Sequence, residues 1–277
     1  MNIEIKEIVA KSILTEAKGY LDIGFTHSLN PFSGCAFACK YCYVREMPIQ
    51  KFKSIPWGQW VDVKANAAEA YRSEIMKLRK KGKPANLFMS SATDPYQPVE
   101  REAQVTRRIL EAMIEHPPDL LQIQTRSPLV ARDIDLLTIL REQCELLVSM
   151  TIETDREEMK RIFAPAAPGI GLRLKALREV HEAGISTQAA ISPVLPFTPD
   201  FPKLLDGIAD RIWIDTLNIG DGSGGKRSAR LGMPRLFDEH DISKWYREDV
   251  HVAVERYFKQ FFPSDKIHVS KEEAFPS

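Results

Sequence analysis

Short apolar runs alternate with amphipathic helical patterns through most of this 277-residue chain, and that alternation constrains its architecture more than any other feature. A helix is predicted over 65–80, with Ala68, Tyr71, Ile75 and Leu78 near one face and Arg79, Lys80 and Lys81 at its basic end. Strand patterns follow at 86–89, 120–124, 146–151, 186–191 and 211–216, with an earlier one near 20–26. Helical patterns lie between them at 105–115 (stopped by Pro117 and Pro118), 131–143, 156–163 and 172–183, the last ending at Gly184. The tail over 241–261 reads as one long amphipathic helix. Parallel neighbours need helical crossovers, so six or so such units in series predict a parallel α/β sheet. Polar residues gather at the strand ends: Ser90, Ser91, Thr93 and Asp94, then Thr125, Arg126 and Ser127, then Ser149 and Thr151, then Ser192, then Asp215, Thr216 and Asn218. Ligands of parallel α/β folds bind at the C-terminal ends of strands, so this pattern favours a barrel-like cup over an open, doubly wound sheet.

One loop carries unusual chemistry. Cys35, Cys39 and Cys42 stand at C-x3-C-x2-C spacing just after the turn-forming Asn30-Pro31-Phe32-Ser33-Gly34, and the only other cysteine is Cys144. Three thiolates can hold three irons of a four-iron cluster and leave the fourth iron open for chemistry. Gly34 and the small Ala36 and Ala38 let the backbone come close to such a cluster. The competing reading is a structural zinc site, which wants a fourth ligand, here His27 or the remote Cys144. Ligand count and softness favour the cluster.

Composition narrows the setting. The 38 basic and 38 acidic residues cancel, where a nucleic-acid-coating protein would show a basic excess. No apolar run reaches the roughly 20 residues that span a bilayer, and the N-terminus shows no signal-peptide core. A cytoplasmic protein without a membrane partner is expected. Thiols stay reduced there, so clustered cysteines read as metal ligands.

The cysteine motif, with Tyr41 before its last cysteine, resembles the signature of the radical S-adenosylmethionine superfamily. The segments around Ser28–Cys35, Thr93-Asp94-Pro95-Tyr96-Gln97-Pro98, Thr125-Arg126-Ser127 and Ile191-Ser192-Pro193 resemble its spore photoproduct lyase-like branch, over roughly residues 10–220. The resemblance implies a partial (β/α)6 barrel with a C-terminal helical extension. It implies one domain over 1–277, with a core of about 20–220. Cys35, Cys39 and Cys42 would hold a 4Fe-4S cluster, and S-adenosylmethionine would bind its open iron. Cleavage of that cofactor would give a 5′-deoxyadenosyl radical for hydrogen abstraction from a substrate the sequence does not name. A reducing partner such as flavodoxin or ferredoxin is implied as well.

Site roles carry over residue by residue. Tyr41 is expected near the adenine. Thr93 and Asp94 are expected near the methionine ammonium, with an Asx turn before Pro95 as the alternative for Asp94. Arg126 falls where relatives hold the methionine carboxylate, Ser149 matches a cofactor-contacting serine, and Ser192 lies on the adenine side. No catalytic residue is assigned. Ser91 occupies the position where spore photoproduct lyase carries a hydrogen-donating cysteine, and a serine O–H is a poor hydrogen-atom donor. Photolesion repair on nucleic acid is therefore the less favoured alternative, beside a non-enzymatic metal-binding protein. Arg132 and Asp133 read as a structural pair, and Arg173 as a packing or ion-pair residue. The glycine-rich, basic stretch 221–230 reads either as a flexible loop able to close over an anionic group or as an ordinary solvated loop. Trp245, Tyr246, Tyr257, Phe258 and Phe261 read as core or partner-facing aromatics.

Overall fold

In the computed structural model, which describes residues 3–270, two sheets share the work of building and bracing a cup. The strands are β1 (Glu4–Ile8), β2 (Leu14–Glu16), β3 (His27–Leu29), β4 (Phe32–Ser33), β5 (Trp60–Lys64), β6 (Asn86–Met89), β7 (Leu120–Thr125), β8 (Glu145–Thr151), β9 (Ser186–Ile191), β10 (Arg211–Ile214) and β11 (Ile267–Val269). The larger sheet runs β11-β10-β9-β8-β7-β6-β3-β2. Every pairing from β3 to β11 is parallel, and β2 closes that edge antiparallel. Strands β3 and β6 to β10 supply the six units of the expected partial barrel. The single-domain reading over 1–277 includes residues 1–2 and 271–277, which lie outside the described residues.

The alternation within strands explains the cup. In β7, Leu121 and Ile123 enter the main apolar core, while Gln122 and Gln124 line the interior cavity. In β9, Ala189 and Ile191 join the core, and Gln188 and Ala190 face inward. A parallel strand apolar on both faces would show an unbroken aliphatic run. Here every second residue is released from that demand because it faces a cavity. The cup's lower end is plugged by an apolar cluster of Phe25, Phe88, Ala190 and Trp213.

The helices close the outside. Helix Ala67–Lys80 buries Ala68, Tyr71 and Ile75, and helix Val105–Glu115 buries Val105, Ile109, Leu110 and Met113, in each case one face at helical spacing. Helix Ile170–Glu182 ends through Gly184, whose φ of 75° suits a glycine at that position. No helix among the described residues is long and apolar enough to cross a membrane.

Four expectations change. The first parallel strand of the barrel sheet is β3, not residues 20–26: Gly19 and Gly24 both have positive φ, a short 3-10 turn spans Gly19–Asp22, and Phe25 joins the plug. The tail is not one helix. A 3-10 turn at Ser243–Trp245 turns Trp245 onto Phe197 (centroids 5.0 Å) and Tyr246 onto Phe237 (5.3 Å) before helix Val250–Phe258 begins. Strand β11 extends the parallel sheet beyond that helix. A second sheet, β1-β5-β4, stands beside the barrel and was not foreseen.

Candidate functional site

The cysteine loop leaves β4 and enters Gly34 with φ of 80°. A Cβ on Gly34 would sit 2.4 Å from the Trp60 carbonyl oxygen, so only glycine lets the loop close onto β5. Further on, Ala38 turns in the left-handed region, and a Cβ on Gly58 would sit 2.3 Å from the Ala38 methyl. The second sheet is therefore the floor under this loop. From the barrel side, Thr93 donates to the Gly34 carbonyl at 2.7 Å. Gln97, fully buried, accepts from the Ala36 N–H at 2.9 Å and donates to the Gly34 carbonyl at 3.2 Å. The Lys40 N–H donates to the Phe163 carbonyl at 2.8 Å. Three separate elements thus clasp the loop.

The cysteines themselves are unpaired, with Cys35 and Cys39 buried and Cys42 half-buried. Burial pushes all three thiols up, Cys42 to about 12, and Cys35 and Cys42 are pushed further by the Cys39 charge. Three neighbouring thiolates are costly on their own, and a bound cationic centre reverses that preference. No three His, Cys, Asp or Glu side chains among the described residues converge to hold one ion. Three soft thiolate donors on one loop, each able to take a different iron, suit an iron–sulfur cluster.

Behind Cys39 lies a buried ionic network. Arg126 donates to Glu153 at 2.6 Å and to the Tyr41 hydroxyl at 2.7 Å, and Tyr41 donates in turn to Glu153. Arg173, with no exposed surface, donates to the other Glu153 oxygen at 2.6 Å and to the Thr151 carbonyl at 3.1 Å. Burial alone would raise the Glu153 carboxyl; the Arg173 and Arg126 charges outweigh it and hold the group at about 2. Two guanidinium groups share one carboxylate, which leaves positive charge beside the cysteines.

The sequence-derived site residues separate into those at the cavity and one outside it. A cavity of about 240 Å³ is lined by the cysteines together with Tyr41, Thr93, Asp94, Arg126 and Ser192. Ser149 is buried but does not line it; its hydroxyl accepts from Gln188 at 2.8 Å, and Gln188 does. Asp94 accepts from the Tyr96 N–H (2.9 Å), the Thr125 hydroxyl (2.7 Å) and the Arg126 N–H (2.9 Å). The first of these is the Asx turn before Pro95, and the other two tie the motif to the end of β7. Burial raises the Asp94 carboxyl, and those donors pull against it. Ser192 donates to Asp215 at 3.2 Å.

Other cavity residues escaped the sequence reading. Ser90, in the left-handed region at the end of β6, has a buried hydroxyl with no partner among the described residues. Glu153 was missed because its partners lie on other elements. The glutamines of β7 and β9 carried a signal, a polar residue at every second position of a parallel strand. The stretch 221–230 is not a flexible basic loop. Asp221 accepts from the N–H groups of Ser223 (2.7 Å), Gly225 (3.0 Å) and Ser228 (3.0 Å), which outweigh burial and lower its carboxyl. Arg227 donates to the Asp221 carbonyl, and Arg230 pairs with Glu46, so the wall turns Asp221 to the cavity and its cations elsewhere.

Known proteins match this chain along most of its length. An uncharacterized protein of Methanocaldococcus jannaschii is 34% identical over 194 residues, 70% of this chain and 69% of that one. An uncharacterized protein of Mycobacterium tuberculosis is 26% identical over 214 residues, 76% of this chain and 62% of that one. Among solved structures, spore photoproduct lyase complexed with dinucleoside spore photoproduct superposes with a TM-score of 0.66 at 15% identity, covering 96% of this chain and 81% of that chain, which shows a shared fold. The family model of the Radical SAM superfamily matches residues 29–206, from β3 past β9, and the chain belongs to that superfamily.

Proposed function

We propose that this chain reductively cleaves S-adenosylmethionine at a 4Fe-4S cluster held by Cys35, Cys39 and Cys42, as a lyase-like enzyme with one domain over 1–277. The observation that carries this reading is the clasped three-thiol loop at the mouth of a barrel cavity. A cluster held by Cys35, Cys39 and Cys42 would supply one-electron reduction of S-adenosylmethionine, chemistry that splits it into methionine and a 5′-deoxyadenosyl group able to take a hydrogen atom from a substrate. The chain's own residues fix and shield that chemistry. Thr93 and Gln97 hold the loop, and Arg126, fixed by Glu153 and Tyr41, offers a guanidinium edge for a carboxylate. The Ser90 hydroxyl is left for a bound ligand. Gln122, Gln124 and Trp213 line the deeper cavity where a substrate would be kept from bulk water. Four free cysteines suit a reducing, cytoplasmic setting.

The test is electron paramagnetic resonance of the reduced, reconstituted protein. Adding S-adenosylmethionine is expected to change the cluster signal, as binding at an open iron requires. An unchanged signal at saturating cofactor contradicts the reading.

A further inference from the structure

The stretches of β7, β8 and β9 that line the cavity carry amides, hydroxyls and one methyl group, but no charged side chain. Three of them are glutamines, and a buried amide is costly unless something meets it. Two of the three are pinned. Gln124 donates one amide N–H to the Thr151 hydroxyl at 2.8 Å, and Gln188 donates one to the Ser149 hydroxyl at 2.8 Å. Strand register places them together, because Gln124 stands beside Ser149 and Ser149 beside Gln188. Each bond fixes an amide plane and leaves its carbonyl oxygen able to accept. Gln122 differs. Its side chain is 2% exposed, lines the cavity and has no hydrogen-bond partner among the described residues.

These groups set what a ligand must bring. Gln122 offers a donor and an acceptor side by side, and Gln124 and Gln188 add acceptor oxygens. A carboxylate has no N–H for those oxygens. An ammonium has no acceptor for the Gln122 N–H. Neither ion finds a countercharge on the lining stretches of these strands, so burying it there is costly. An amide answers both needs, with its N–H groups and its carbonyl oxygen in one plane. Trp213 lines the same cavity and supplies an aromatic wall for a planar group. Asp221, whose backbone donors hold its carboxyl below the usual range, lines the cavity from the 221–230 wall and repels a phosphate backbone.

We infer that the deeper cavity is a substrate subsite for an uncharged amide edge, read by Gln122 with the pinned oxygens of Gln124 and Gln188, on a molecule without a phosphate backbone. The inference rests on the reading above that a substrate enters this cavity beside the cysteines, and it adds the chemical class that the cavity takes.

The test uses three planar probes of one shape and different charge: benzamide, benzoate and benzamidinium. Each is titrated into the anaerobically reconstituted protein and followed by ligand-observed NMR. Benzamide is expected to bind about tenfold or more tighter than either ion. Gln122→Leu nearly keeps the side-chain volume and is expected to abolish that preference, whereas Gln122→Glu is expected to turn it toward benzamidinium. If Gln122→Leu does not fold, Gln124→Leu is expected to show the same loss. Saturating S-adenosylmethionine is expected to leave benzamide bound. The subsite is overturned by equal affinity for the three probes, by no binding of benzamide, or by a preference unchanged in the folded leucine variant. Displacement of benzamide by S-adenosylmethionine also overturns it, since the amides would then belong to the cofactor. The titration needs no electron and no cofactor cleavage. A protein that forms no 5′-deoxyadenosine with dithionite therefore contradicts the reductive reading, and the titration still decides the amide subsite.

Discussion

Two buried arginine–carboxylate networks sit on opposite sides of the TDPYQP segment, and they do different work. On the outer side, Glu100 accepts from the Thr106 and Arg107 N–H groups at the start of helix Val105–Glu115 and from Arg132 at 2.8 Å. Arg132 also grips Asp133, and Arg107 bridges Asp133 and Asp135. There carboxylates match or exceed cations, and the links end on helix starts, so the network fastens backbone. On the cavity side, two arginines meet the single carboxylate of Glu153, and one Arg173 nitrogen has no partner among the described residues. A network built for stability alone would not leave a surplus guanidinium in the interior. The surplus lies next to Cys39, where it can offset the negative charge of ligated thiolates.

Glu153→Gln is expected to break this contrast most severely. It strips the carboxylate that pairs with both buried guanidinium groups and should cost about 3–5 kcal/mol in denaturant unfolding. The same carboxylate sets a pH dependence. Its folded pKa of about 2 lies below the usual carboxylate value, so its contribution is present at neutral pH and is lost as pH falls from about 5 toward 2. The variant should lack that portion of the acid sensitivity.

Glu100→Gln should cost less, about 1–3 kcal/mol, because the amide oxygen still accepts from one helix N–H and Arg132 keeps Asp133, while the amide NH2 faces the other N–H as a second donor. Iron content after reconstitution should be unchanged, since this network does not touch the loop. Gln97→Ala should cost about 1–2 kcal/mol through the unmet Ala36 N–H, since the Gly34 carbonyl keeps its bond from Thr93. Unlike Glu100→Gln, it should release iron faster in a chelator challenge. Ser149→Ala should move stability by less than about 1 kcal/mol, because the Gln188 amide faces the cavity and can be hydrated there. A large effect of Ser149→Ala on cofactor binding would show that the serine acts through Gln188 and would blur the distinction between cavity lining and support.

The sequence reading succeeded where local pattern decides structure. The strands 86–89 and 186–191 and the helix stop at Gly184 follow from periodicity and backbone preference, and the cysteine loop follows from spacing. It missed β1, whose Glu4-Ile5-Lys6-Glu7-Ile8 is largely exposed and gains its partner only from β5. It missed β11 because three residues carry no pattern of their own without β10 beside them. Glu153 and Arg173 are 20 residues apart, and the fold brings them together. The TDPYQP segment stood out as a motif, yet its threonine and glutamine clasp the cysteine loop and its aspartate ties β7, a division of labour that only the three-dimensional contacts reveal.

The central claim is that the clasped thiols hold a cluster able to cleave S-adenosylmethionine. The direct measurement is anaerobic reconstitution, followed by metal analysis and detection of 5′-deoxyadenosine after dithionite and S-adenosylmethionine are added. The account predicts about four irons per chain, cleavage, and loss of both in Cys42→Ala. Stoichiometric zinc with no 5′-deoxyadenosine would contradict it.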